Sequence, residues 1–176
     1  LSVAFTWGTS AEERALPFPC DACVERVDAA CWRGVTVHAD AGTVFRWLCQ
    51  LRAAPYSYDW IDNLGRRSPR TLTPGLERLE VGQRVAIFEL VAFERDVHLT
   101  ARTRRFAPGL WPAVALSYLV RPVGARETRL LAKVALEVRP GPLAALATRA
   151  LVWADLVMMR RQLLNLKALA EASATA

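Results

Sequence analysis

At 176 residues the chain is sized for one domain with a substantial core, and an apolar content of 53% excludes disorder as its default state. The net charge is +6, yet the basic residues are nearly all Arg and lie scattered; without a recognisable binding module they do not indicate nucleic acid. No run reaches the ~18 uninterrupted apolar residues of a membrane span, since the nearest candidate, residues 143–159, is broken by Arg149 and Asp155.

Residues 1–30 read as an arm. Nothing there has the basic start, apolar stretch and small-residue cleavage site of a signal peptide, so a cytoplasmic protein is expected. Ser10 followed by Glu13 is a capping-box pattern that starts a short helical turn, and Leu16-Pro17-Phe18-Pro19 forces extended chain. Trp7, Leu16 and Phe18 follow no regular period. They are expected to lie across an apolar surface elsewhere, the outer stripe of the final helix around Trp153 and Leu156.

Residues 33–38 read as a strand, with Val35 and Val37 on one face. Asp40 is placed to cap a helix over residues 41–52, buried through Val44, Trp47, Leu48 and Leu51 and ended by Pro55. Ser57 can cap a second short helix. Asp59 falls in its first turn, where the dipole favours an anion, and Gly65 suits its end.

Residues 85–138 alternate with period two and turn punctuation. Strands are expected at 85–90, 91–93, 97–103, 114–121 and 128–138. In the last, Leu130, Ala132, Val134, Leu136 and Val138 face the core, while Arg129, Lys133 and Glu137 face water. Residues 122–127 connect it to the preceding strand as a hairpin, which turns Val114, Leu116, Tyr118 and Val120 inward. Val97, Leu99 and Ala101 face in and His98 faces out.

Residues 141–171 have no Gly or Pro beyond the opening Gly141-Pro142 and are rich in strong helix formers. About thirty residues at 1.5 Å each give a rod of roughly 45 Å. One stripe runs through Leu143, Ala147, Ala150, Leu151, Ala154, Val157 and Met158. A second runs through Leu146, Trp153, Leu156, Leu163, Leu166 and Leu169. A helix apolar on two faces is covered on two sides. The expected architecture is α+β: a curved antiparallel sheet wrapped around this long C-terminal helix, with small-molecule space between them.

Of the four cysteines, Cys20-Asp-Ala-Cys23 is the close pair, and Cys31 and Cys49 supply no second one, so no metal, disulfide or other cofactor is expected. Cys49 reads as a buried thiol. His38 and His98 stand without acidic or thiol companions. No phosphate loop, nucleophile elbow or zinc-helix motif is present. The basic clusters are Arg66-Arg67-Ser68-Pro69-Arg70 and Arg102-Thr103-Arg104-Arg105. Arg160 and Arg161 are adjacent, so they point to different sides; one is expected to meet an acid such as Asp59 or Asp62.

The strand-helix-helix-strands-helix order, with 44–51, Thr128-Arg129-Leu130 and 159–167, resembles the START-like, helix-grip superfamily (SRPBCC) over nearly the whole chain. A bacterial, mostly uncharacterised subgroup related to polyketide cyclases/dehydrases is similar at Trp7-Gly8 with Glu12-Glu13, at Pro19 to Asp21, and at Tyr56-Ser57-Tyr58-Asp59-Trp60 with Asn63. Cys20 stands where that subgroup has Gly, which argues further against a metal at the cysteine pair. The resemblance implies a helix-grip domain over 31–172 with residues 1–30 packed on it. That superfamily hosts transport, catalysis, sensing and chaperone-cofactor roles, so fold alone does not decide function.

The expected partner is a hydrophobic small molecule or lipid, with a homodimer left open. The expected ligand-binding cavity residues are Tyr56, Tyr58, Asp59, Leu99, Leu116, Tyr118, Leu130, Ala150, Ala154 and Met158. Ala150 and Ala154, small at successive turns, would leave room. Tyr118 reads either as a cavity hydrogen-bonding group or as a buried tyrosine with a backbone partner. Asp59 is explained by its helix-terminal place but could act as a base if buried. Two alternatives stand beside ligand binding: a cyclase/dehydratase-like enzyme on a hydrophobic substrate, and a protein-interaction module without a ligand.

Overall fold

The computed structural model describes residues 2–103, 113–138, 141 and 143–175. Leu1, Arg104, Arg105 and Pro142 lie outside the described residues. The arm holds two short helices, α1 (Val3–Thr6) and α2 (Ala11–Arg14), and a 3-10 turn over Pro19–Cys23. Strand β1 (Ala29–Val37) leads to α3 (Ala41–Cys49), continued by a 3-10 turn, and to α4 (Asp59–Asp62). Strands β2 (Arg84–Val85), β3 (Phe88–Glu94), β4 (His98–Thr103), β5 (Ala113–Gly124) and β6 (Glu127–Glu137) precede α5 (Ala144–Ala174).

All strands pair antiparallel in one sheet of order β1-β6-β5-β4-β3-β2. The two strands expected at 85–90 and 91–93 resolve differently. Residues 88–94 form one strand, irregular between Leu90 and Ala92; such an extra residue bends a strand without ending it. The β5–β6 hairpin turns at residues 125–126, and Pro122 still pairs with Thr128.

Local signals act as read at several places. Thr43 N–H donates to Asp40 Oδ1 at 2.9 Å, and Ser10 with Glu13 forms a complete capping box. At α4 the cap is Tyr58, without a side-chain bond. Ser57 instead directs its hydroxyl to Met158 Sδ at 3.6 Å, while Asp59 accepts from the Ser68 N–H and hydroxyl.

The concave face of the sheet carries Val35, Val37, Leu99, Leu116, Tyr118, Val120, Leu130, Ala132 and Leu136 into one core with Val44, Trp47, Leu48 and Leu51. Helix α5 contributes Val152, Leu156, Met159, Leu163, Leu166 and Ala170, spaced four and three alternately. This corrects the expected seam. Leu156, Leu163 and Leu166 of the second stripe face the sheet, while Leu146 is exposed and Ala150 and Ala154 face solvent. Burying a Leu or Val side chain is worth about 1.5–3 kcal/mol, far more than an Ala methyl offers, so the helix rotates its bulk inward. Trp153 is also left half-exposed.

The convex face is not solvated, a second correction. Leu119, Leu131 and Ala135 there are covered by Phe18 and Cys20 of the arm, with Leu16 alongside. Lys133, expected in water, is buried: its Nζ donates to Asp21 Oδ2 at 2.7 Å and sits over the Trp32 ring. Arg129 binds the arm as well, donating to the Gly8 carbonyl at 2.7 Å. The arm therefore divides. Its start, α1, packs on β1 and α5, with Arg160 over the Trp7 ring. It then crosses the edge strand where Gly8 meets Gly34. A Cβ on Gly8 would lie 2.1 Å from the Gly34 carbonyl oxygen, and Gly8 has φ +72°, the left-handed region that favours glycine. Leu16 and Phe18 thus end on the far side of the sheet from Trp153.

Candidate functional site

A cavity of about 1230 Å³ opens between the concave sheet face and α5. Its floor is β-sheet: Cys31, Val114, Leu116, Val134 and Leu136. Its roof is one stripe of α5, Leu151, Val152, Asp155, Met158, Met159 and Gln162. The spacing of those residues is helical, so a single face lines the space. Its mouth includes the 51–55 segment, Asn63, Leu64, Arg66, Arg84 and Ile87. Leu64 and Ile87 are exposed at this rim.

The polar groups of the interior are few. Gln162 is spent at both ends: its Oε1 accepts from the Tyr118 hydroxyl and its Nε2 donates to the Pro55 carbonyl at 2.6 Å. Asn165 Nδ2 donates to the Tyr56 carbonyl at 2.9 Å, so α5 holds the 55–56 segment at two successive carbonyls. Tyr56 needs such holding, because it adopts φ +55°, unfavourable for a bulky side chain.

Asp155 is different. Arg33, fully buried on β1, donates from Nη2 to Asp155 Oδ2 at 2.7 Å. The remaining guanidinium bonds go to the Trp32 and Val152 carbonyls. The Asp155 side chain keeps 22% exposure, on the cavity wall. Burial pushes its carboxyl up to about 6, and Arg33 restrains that rise. Cys31 shares the wall, and burial raises its thiol to about 11, so it stays protonated and is a poor nucleophile at neutral pH.

No protein-family model matches the chain, and no curated protein matches it. Solved structures do. A protein from Mesorhizobium loti aligns at 13% identity over 82% of this chain and 98% of its own, with a TM-score of 0.51. A protein from Nitrosospira multiformis aligns at 12% identity over 84% of this chain and 99% of its own, also at 0.51. The di-domain ARO/CYC StfQ from the steffimycin biosynthetic pathway aligns at 15% identity over 84% of this chain and 52% of its own, at 0.53. With the curved antiparallel sheet and the long closing helix, these likenesses identify the architecture. The chain has a helix-grip fold.

Within the helix-grip cavity, two of the ten expected residues, Leu116 and Met158, form part of the wall. Leu99 and Leu130 are closed into the core. Tyr118 is buried with a side-chain partner, Gln162, instead of the backbone partner considered from sequence. Tyr56 is buried edge-on to Trp47, ring centroids 6.1 Å apart. Tyr58 lies under the Arg161 guanidinium at 5.9 Å, so Arg161, like Arg160, meets an aromatic ring and not the expected acid. Asp59 is committed to Ser68. Ala150 and Ala154 are exposed and do not line the cavity.

Sequence reasoning missed Arg33, Asp155 and Gln162. The signal was present: residues 31, 33, 35 and 37 share a strand face, and Arg33 interrupts an apolar side. Asp155 interrupts an apolar helix face in the same way. Two opposite charges, each alone on a core-facing surface, call for each other. Among the described residues, no helix is long and apolar enough to cross a membrane.

Proposed function

We propose that this protein binds an apolar small molecule or lipid in the cavity between the sheet and α5. The observation that carries the reading is the cavity itself. Its roughly 1230 Å³ exceeds the ~300–1,000 Å³ typical of drug-sized sites, and its walls are mainly aliphatic and thioether side chains. Met158 and Met159 adapt to irregular shapes, as methionines do at permissive surfaces. A second reading, a cyclase/dehydratase-like enzyme, draws support from Asp155, whose carboxyl near 6 suits proton transfer near neutral pH. Native mass spectrometry of the purified protein tests the first reading, with titration of an apolar fluorescent probe. A co-purifying hydrophobic metabolite, or saturable probe uptake at one site, supports it. No adduct and no uptake would favour the interaction-module alternative.

A further inference from the structure

We propose that the cavity selects apolar molecules carrying a neutral hydrogen-bond donor, an alcohol or a phenol, and docks that donor on Asp155. The inference rests on the ligand-binding reading above and specifies the ligand's polar group. The α5 stripe places Asp155 between Leu151 and Val152 on one side and Met158 and Met159 on the other. A bound apolar body in contact with this stripe therefore passes the carboxylate.

Among the other charged groups of the lining, Glu25, Asp62, Arg66 and Arg84 are exposed towards solvent, and Arg52 donates to the Leu76 and Arg78 carbonyls. What the body meets beside α5 is set by which polar atoms there are still free. Gln162 has given its carbonyl to Tyr118 and its amide to Pro55. Ser57 turns its hydroxyl to Met158. Arg33 holds Asp155 through Oδ2, and Oδ1 has no partner among the described residues. A carboxylate oxygen facing an apolar space gains most from a donor brought in by the ligand, because a charged acceptor left unmatched in low dielectric is costly.

The same geometry disfavours acids. Arg52, Arg66 and Arg84 line the cavity at its mouth, whereas Arg33 is fully buried and does not line it, so an anionic head group docked at the depth of Asp155 cannot reach the Arg33 guanidinium. It would instead face Asp155, a like charge. A cation gains less than Asp155 alone would suggest, since Arg33 at 2.7 Å already neutralises the site. A neutral hydroxyl satisfies the free oxygen without either conflict.

The test compares three matched probes on the intact protein: 2-naphthol, 2-methylnaphthalene and 2-naphthoate, each displacing an apolar fluorescent dye. The expected order is naphthol tightest, by about tenfold or more over each of the others, the scale of one charge-assisted hydrogen bond. A double variant, Arg33→Met with Asp155→Leu, removes both charges. Exchanging a buried ion pair for apolar residues of similar volume is often neutral for folding. That variant should keep methylnaphthalene binding and lose the naphthol preference. Equal binding of naphthol and methylnaphthalene by the native protein would overturn the inference while leaving the cavity reading intact. Tightest binding of naphthoate, or a naphthol preference that survives in the double variant, would also overturn it. Binding of none of the three, with no dye uptake, would overturn both readings.

Discussion

Arg129 grips Glu13 with two parallel bonds, Nε to Oε1 at 2.6 Å and Nη2 to Oε2 at 2.9 Å. Each side chain is only about one-fifth exposed, so the pair is better shielded than a surface ion pair and has bidentate geometry. It joins the arm to β6 across more than a hundred residues of chain.

Glu13→Gln should cost about 1.5–3 kcal/mol, the range for hydrogen bonds to charged groups, measured by urea unfolding. The Arg129 bonds hold the Glu13 carboxyl below its ordinary value of 4.5. A depressed carboxyl contributes stability that is present above its unfolded value and lost as pH falls through the folded one. The deficit of the variant should therefore shrink below about pH 4.5. An unchanged gap down to pH 3 would contradict this assignment.

Filling the cavity should separate open space from packed core. Val134 lies on its floor, so Val134→Trp should abolish uptake of an apolar probe with modest loss of stability. In a close-packed region the same change costs roughly 1–3 kcal/mol or more through overpacking. Ala154→Trp, on the exposed side of α5, is the control and should leave uptake unchanged.

Gln162→Leu should cost about 2 kcal/mol or more, because it strands the buried Tyr118 hydroxyl and the Pro55 carbonyl. Tyr118→Phe removes one of those bonds. The double variant should be less damaging than the sum of the two changes, with a coupling of ~0.5–3 kcal/mol. Strict additivity would show that the two side chains do not interact in solution.

Asp155 should titrate near pH 6, readable from its carboxyl carbon by NMR. Arg33 faces it directly and lowers its value, so removing Arg33 should move the midpoint upward. The neighbouring Cys31 and Tyr118, whose burial raises both above their ordinary values, stay neutral at this pH. Because the folded carboxyl takes up its proton before the unfolded one, whose ordinary value is 3.8, this site alone favours folding more at pH 5 than at pH 7. Glu13 and Asp40, both lowered, act in the opposite sense at lower pH.

Much of the scaffold was legible because period and punctuation are local. The alternation from Leu130 to Leu136, the Asp40 cap and the stripe through Trp47 and Leu51 each follow from neighbouring residues, and the structure reproduces them. The orientation of α5 was not legible in this way. The helix is apolar nearly all round, so its rotation depends on competing burial areas, and Leu156, Leu163 and Leu166 outweigh the alanines. The path of the arm depends on contacts with Lys133 and Arg129, which looked solvent-facing because nothing local shows that a sheet is covered on both faces. The Arg33–Asp155 pair spans 122 residues, and its logic appears only when each charge is seen as an exception on an apolar face.

The crossing at Gly8 and Gly34 has a consequence for how this chain can vary. With 2.1 Å between an added Cβ at Gly8 and the opposing carbonyl oxygen, no side chain fits at Gly8 while the crossing persists. Gly34 is nearly as tight, its own Cβ falling 2.8 Å from the Gly8 carbonyl oxygen. The two positions are therefore mutational hostages of one another. A variant that acquires a side chain at either must lift the arm away, and doing so uncovers Leu119 and Leu131 together with the edge of β1. An exposed strand edge beside bared apolar surface is a template for pairing with other chains. The glycine of the arm thus guards against self-association, and Gly8→Ala, the smallest change that adds a Cβ there, is enough to expose that role.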